Sequence, residues 1–190
     1  MRASDCTAED NQTLRDLLGS FQKRENVLIF EIGCYTGEGS TRVLGDWAKK
    51  YNGKVVTIDN FEGGADIYTS EDNVKDIALK NIAEYGLSDY VEIWVGNSDT
   101  LSSKVEDESI DFLFIDGGHK YTQVKKDIDA WYPKIKKGGI ICGHDYESGN
   151  YFEEYIEEDY REGRHNGVIK AVNEKFGSGN QRGVIWIHRK

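Results

Sequence analysis

A chain of 190 residues is long enough for one hydrophobic core and short for two, so a single domain spanning 1–190 is the expectation. Its 24 Lys and Arg against 34 Asp and Glu give a formal net charge of −10. That argues against nucleic acid or an anionic membrane as partner, since both need a surplus of basic residues on some face. No apolar run approaches the length that spans a bilayer, and the polar opening MRASDCTAED lacks the apolar core of a signal peptide, so a cytoplasmic location is expected.

In chain order, VLIFEI (27–32) is a continuous run of branched and aromatic residues, as in a strand buried on both faces. Val43, Leu44, Trp47, Ala48 and Tyr51 then keep helical spacing up to residue 51. KVVTID (54–59) is the second strand. Over 70–85, Val74, Ile77, Ala78, Ile82 and Tyr85 form one stripe, with Thr69 or Ser70 as cap and Gly86 as stop. VEIWV (91–95) and IDFLFID (110–116) are strands, and Tyr121, Val124, Ile128 and Trp131 mark the core face of the helix between the latter and GGIICGH (138–144). Val168–Phe176 is a last helix and GVIWIHR (183–189) a single terminal strand. Strands alternating with helices predict a Rossmann-like, doubly wound α/β fold, with a mostly parallel sheet of six to seven strands and helices on both faces. Between the fifth strand and the last helix, residues 147–167 carry seven carboxylates and four aromatics. Tyr151, Phe152 and Tyr155 have helical spacing there, so a short amphipathic helix is expected, and its place over the strand ends makes it a candidate lid. The cysteines, three in number and without a CxxC pair, support neither a disulfide framework nor a zinc knuckle. Cys34 and Cys142 read as small buried hydrophobes.

The first strand runs into EIGCYTGEGST (31–41), whose glycines fall at 33, 37 and 39. A dinucleotide fingerprint would read G-x-G-x-x-G, and its second glycine lets a pyrophosphate approach the backbone. Tyr35 occupies that position, and Glu31 adds a negative charge at the strand end, so a ligand without pyrophosphate fits better. Glu31 could instead accept hydrogen bonds from a cationic group such as an amino acid. Asp59, closing the second strand, is placed to accept from both ribose hydroxyls. Phe61 can flank an adenine ring, and Asn97 and Ser98 after the third strand can reach its edge. Together these residues favour an adenosine ligand. Two further strands, in FIDGGHKY (114–121) and GGIICGHDY (138–146), each end on histidine and aspartate, which suggests one shared site at the C-terminal strand ends.

Over roughly residues 27–176 the sequence resembles the class I S-adenosylmethionine-dependent methyltransferases. It is similar in particular to a small-molecule O-methyltransferase group related to macrolide-sugar and catechol methyltransferases. The resemblance is carried by EIGCYTGEGST, by IDGGHKYTQVKKDIDAWYPKIKKGGIICGHDY and by GVIKAVNEKF. It implies S-adenosyl-L-methionine as cofactor, with Glu31, Gly33, Tyr35, Gly37, Ser40, Asp59, Asn60, Phe61, Asn97, Ser98 and Asp116 as the residues around it. It also implies a divalent metal, Mg2+ or Mn2+, on Asp116, His144 and Asp145. A hard cation suits the two carboxylates. His144 stands where relatives often carry a carboxylate, so it either ligates and tilts the preference toward Mn2+ or Fe2+, or supports a ligand from behind. His119 lies three residues past Asp116, where sugar-modifying relatives use a histidine as base. An imidazole titrating near pH ~6.5 suits that role.

The function implied is methyl transfer to a hydroxyl of a small sugar or phenol, and a homo-oligomer is compatible with the chain. Two other functions stay open: a non-catalytic module that binds the same cofactor, and a nucleotide-dependent oxidoreductase, which the glycine spacing disfavours. Tyr121 is assigned to the core, and His165 and His188 to the surface or to packing.

Overall fold

The computed structural model describes residues 6–62, 73–147 and 149–190. Among the described residues seven strands, β1 (Leu28–Ile32), β2 (Lys54–Asp59), β3 (Val91–Val95), β4 (Ile110–Ile115), β5 (Ile135–Gly143), β6 (Gln181–Arg182) and β7 (Ile185–Arg189), follow the order β3-β2-β1-β4-β5-β7-β6, the mostly parallel, Rossmann-like sheet expected from the alternating pattern. The chain divides into two compact units, Met1–Ser98 and Asp99–Lys190.

In the first unit β1 (Leu28–Ile32), β2 (Lys54–Asp59) and β3 (Val91–Val95) pair in parallel, with Ile29 beside Val55 and Val55 beside Val91. Ile29, Phe30, Val55 and Ile58 are fully buried, which is why this segment reads as uninterrupted apolar runs. Helix α2 (Ser40–Tyr51) buries Val43, Leu44, Trp47 and Ala48, as its spacing predicts. Gly45 is a packing requirement on this helix: a Cβ there would come within 2.8 Å of Leu87 and 2.9 Å of Val91. Helix α3 runs Val74–Glu84, and residues 70–72 of the expected stretch lie outside the described residues. Asn73 caps it by accepting a hydrogen bond from the Asp76 amide at 3.3 Å, while the expected caps Thr69 and Ser70 lie outside the described residues. A helix not anticipated from the sequence, α1 (Ala8–Gly19), precedes β1. Thr7 and Asp10 cap it reciprocally, and Leu14, Leu18 and Phe21 are fully buried.

After a one-turn helix α4 (Ser98–Leu101), the second unit is built on β4 (Ile110–Ile115), all of it buried. β5 (Ile135–Gly143) pairs with it in parallel. Helices α5 (Tyr121–Trp131) and α6 (Asn166–Phe176) complete the unit with a terminal hairpin. That hairpin corrects the single terminal strand read from the sequence. β6 (Gln181–Arg182) and β7 (Ile185–Arg189) are antiparallel, joined through Gly183 at φ 61°, and β7 adds antiparallel to β5. β6 is too short to leave an alternating pattern. Tyr121 is also corrected: it is half-buried, and its hydroxyl donates to Glu174 at 2.7 Å. His188 is a packing residue as expected, stacked on Phe176 with centroids 4.2 Å apart. Cys34 and Cys142 are buried, and burial raises both thiol pKa values.

The amphipathic helix expected in 147–167 does not form. Ahead of α6, which begins at Asn166, one 3-10 turn, Glu153–Tyr155, and a bridge between Arg161 and Arg164 are its regular structure among the described residues. Glu153/Glu157 and Glu154/Glu158 would be like-charge i,i+4 pairs in a helix, and such pairs oppose it. Among the described residues no helix is long and apolar enough to cross a membrane.

Candidate functional site

In the first unit, the strand–turn–helix from β1 to α2 is organised by Asp59 at the end of β2. Its Oδ2 accepts hydrogen bonds from the backbone amides of Cys34 at 3.0 Å and Tyr35 at 2.9 Å, and its Oδ1 from the amide of Phe61 at 2.8 Å. One carboxylate therefore holds the glycine-rich turn and the chain after β2 together. Tyr35 takes φ 48° and Phe61 φ 55°, the left-handed region that bulky residues rarely adopt, so these bonds hold strained backbone in place. Gly33 and Gly37 have φ 90° and 73°, which accounts for glycine at both positions. Glu31 is fully buried and accepts from the Thr41 hydroxyl at 2.6 Å. Ser40 is buried at the start of α2. Asn60 donates to the Asn97 side chain at 3.2 Å, so two residues 37 positions apart, both expected near the cofactor, meet. Ser98 begins α4.

An adenosine ligand fits this donor and acceptor set. Oδ1 of Asp59 accepts one backbone bond, and a carboxylate oxygen can accept more. A Cβ built on Gly39 would meet nothing within 4 Å, so the turn backbone faces open space there.

In the second unit, β4 and β5 end side by side, with Ile115 opposite Gly143, and the His144 amide donates to the Ile115 carbonyl at 3.0 Å. Asp116, His144 and Asp145 thus leave adjacent strand ends. Asp145 has φ 63° and is buried. Its Oδ1 lies 3.1 Å from His144 Nδ1 and 3.3 Å from His165 Nδ1, and its Oδ2 lies 3.1 Å from His119 Nε2. Asp116 Oδ1 is 3.9 Å from His144 Nδ1. Behind the histidines stand two more carboxylates, Asp159 at 3.0 Å from His119 Nδ1 and Glu147 at 2.6 Å from His165 Nδ1. His165, Glu147 and Asp159 escaped the sequence reading, since no local spacing links them to the strand-end motifs.

Burial raises the Asp116 carboxyl to about 6, with Asp145 adding to the rise and His144 and His119 opposing it. Burial likewise disfavours charge on both His119 and Asp145, but their mutual contact outweighs it. With Asp159 adding to the effect, His119 is raised to about 10, and His119 and His144 hold Asp145 well below the usual carboxylate range. A divalent cation fits Asp116, His144 and Asp145, whose ligand atoms all lie within 4.8 Å of one another.

Residues 30–146 match the family model described as a methyltransferase domain, and the chain belongs to that family. It is 31% identical over 140 residues to uncharacterized protein R132 of Acanthamoeba polyphaga mimivirus, covering 70% of this chain and 58% of that one. A shorter match, 42% identical over 43 residues, joins it to uncharacterized protein y4gI of Sinorhizobium fredii and covers 23% of this chain and 5% of that one. The chain therefore spans less than two thirds of the length of either curated relative. Among solved structures it is similar to an O-methyltransferase from Bacillus cereus in complex with SAH, at TM-score 0.69 and 22% identity, covering 100% of this chain and 84% of that one. It is also similar to the O-methyltransferase NovP, at TM-score 0.67 and 16% identity, covering 96% of this chain and 80% of that one. At these identities the likeness is one of fold.

Proposed function

We propose that the chain acts as one methyltransferase domain that transfers the methyl group of S-adenosyl-L-methionine to a hydroxyl of a small molecule, a sugar or a phenol. In this proposal the residues of the first unit from Glu31 to Ser98 named above hold the cofactor. Asp116, His144 and Asp145 hold Mg2+ or Mn2+, and His119 is the general base. The observation that carries the proposal is the convergence on Asp145: the proposed base and a proposed metal ligand, His119 and His144, each lie 3.1 Å from its carboxylate.

The cofactor supplies a methyl group already activated by its sulfonium, and the cation supplies polarisation of the acceptor hydroxyl. The remaining work belongs to side chains. Asp59 fixes the turn on which the nucleoside rests and accepts from its ribose. His119 takes the hydroxyl proton at Nε2, while Asp159 holds the opposite ring nitrogen and so sets the tautomer. Asp145 and Asp159 favour the protonated form of His119, and a cation held by Asp145 would withdraw that carboxylate's charge and favour the neutral ring that accepts the proton. Asp159, from the proposed lid segment, contacts the base, and holding nucleophile, methyl carbon and sulfur in line accounts for most of the acceleration. The surplus of acidic residues supports a neutral or cationic small acceptor over nucleic acid.

The test is transfer of labelled methyl from S-adenosylmethionine to a panel of sugars and catechols with Mg2+, with Mn2+ and with chelator. Metal-dependent labelling that His119→Gln lowers by about 100-fold or more is the expected result. Cofactor binding with no labelling of any hydroxyl would instead make the chain a non-catalytic binding module.

A further inference from the structure

A carboxylate oxygen and an imidazole nitrogen facing each other across about 3 Å need an N–H hydrogen or a metal ion between them. Asp145 faces three such nitrogens, on His119, His144 and His165. Nδ1 of His165 also faces Glu147 at 2.6 Å, and a single ring nitrogen cannot give one hydrogen in line to both carboxylates. We propose that His119, Asp145 and His165 form a second metal site, sharing the Asp145 carboxylate with the first and selective for an imidazole-seeking transition ion such as Zn2+.

Three observations support it. The three ligand atoms lie within 4.8 Å of one another, and the contacts of 3.1 and 3.3 Å match the edge of a tetrahedron with bonds of about 2.0 Å, close to 3.3 Å. The far nitrogen of His119 is backed by Asp159 at 3.0 Å, the carboxylate–histidine pairing that orients metal-bound imidazoles, and the fourth position of the tetrahedron is left open. Finally, two divalent ions balance the four carboxylates Asp116, Asp145, Glu147 and Asp159 around three neutral histidines.

The second site is also held in place by the fold. A Cβ on Gly167 would collide with the His119 carbonyl, the Tyr121 amide and the Ile156 carbonyl, so this glycine lets the start of α6 lie against the turn that carries His119. Asn166 then accepts from the Phe152 amide at 2.8 Å and donates to the Arg161 carbonyl at 3.0 Å, which ties the start of α6 to the chain that leads into His165. The two sites differ in donors, two carboxylates and one imidazole against one carboxylate and two imidazoles, so they sort hard from borderline ions. Resting on the function proposed above, an ion at the second site takes His119 Nε2 away from the hydroxyl proton. Zn2+ then stops the transfer that Mg2+ supports.

Titration of the full chain with Co2+, followed by its visible spectrum and by equilibrium dialysis, tests the site without an activity readout. The wild type should take up two equivalents. His165→Gln should take up one and lose the tetrahedral Co2+ absorption, whereas Asp116→Asn should keep that absorption. Asp159→Asn, whose side chain is 71% exposed and tolerates exchange, should weaken the tetrahedral site by about 10-fold or more. A single equivalent in the wild type, or tetrahedral binding unchanged in both His165→Gln and Asp159→Asn, overturns the inference. Two equivalents in a protein that transfers no methyl group would leave this site standing and remove the catalytic proposal.

Discussion

Asp59→Asn is the most informative single change in the first unit. The carboxylate binds three backbone amides, two of them, at Cys34 and Tyr35, through Oδ2. An amide in place of the carboxylate keeps most by turning its oxygen to Cys34 and Tyr35 and its NH2 to Phe61, so it loses one bond outright and the charged acceptor of the other two. At about 1.5–3 kcal/mol for a bond to a charged group against about 1 for a neutral one, the loss is about 3 kcal/mol. For a chain of this size that corresponds to a fall in Tm of about 6–12 °C, at 2–4 °C per kcal/mol. The left-handed backbone at Tyr35 and Phe61 is then released, so the turn loses the form on which the nucleoside is proposed to rest. Thermal unfolding by circular dichroism, paired with calorimetric titration of S-adenosylmethionine, reads both effects. A variant that melts within 2 °C of wild type would refute the claim that this carboxylate holds the turn.

Further expected outcomes concern the second unit. Protonation of Asp116, raised to about 6, competes with the cation, so Mg2+ or Mn2+ affinity should fall about tenfold between pH 7.5 and pH 5 by calorimetry, and Asp116→Asn should abolish that dependence. His119 is raised from 6.5 to about 10. Its charge–charge stabilisation of the metal-free protein is therefore fully present below about pH 6.5 and lost as pH rises through 10, so denaturant midpoints should fall across that window and His119→Gln should flatten the fall. Gly167→Ala should destabilise by about 1–3 kcal/mol in urea, because the added methyl meets backbone that cannot rotate away.

Much of this was legible in the sequence. The buried strands announce themselves as apolar runs because both faces are covered, and the carboxylates at their ends, Asp59 and Asp116, follow from where those runs stop. Backbone conformation was not legible: nothing in the letters indicates that Tyr35, Phe61 and Asp145 take positive φ, since tertiary hydrogen bonds impose it. His165, Glu147 and Asp159 join the cluster only through the path of residues 147–167, a segment whose charge repulsion defeats its helical periodicity. α1 carried a signal in Thr7 and Asp10, weakened because aspartate stands where a capping box usually has glutamate.

The central claim is that the first unit binds S-adenosylmethionine, and the most direct measurement is its calorimetric titration into the purified chain, with Asp59→Ala alongside. Micromolar binding in the wild type that the variant loses is the predicted result. No heat of binding at any workable concentration, from a chain that melts cooperatively, would contradict it.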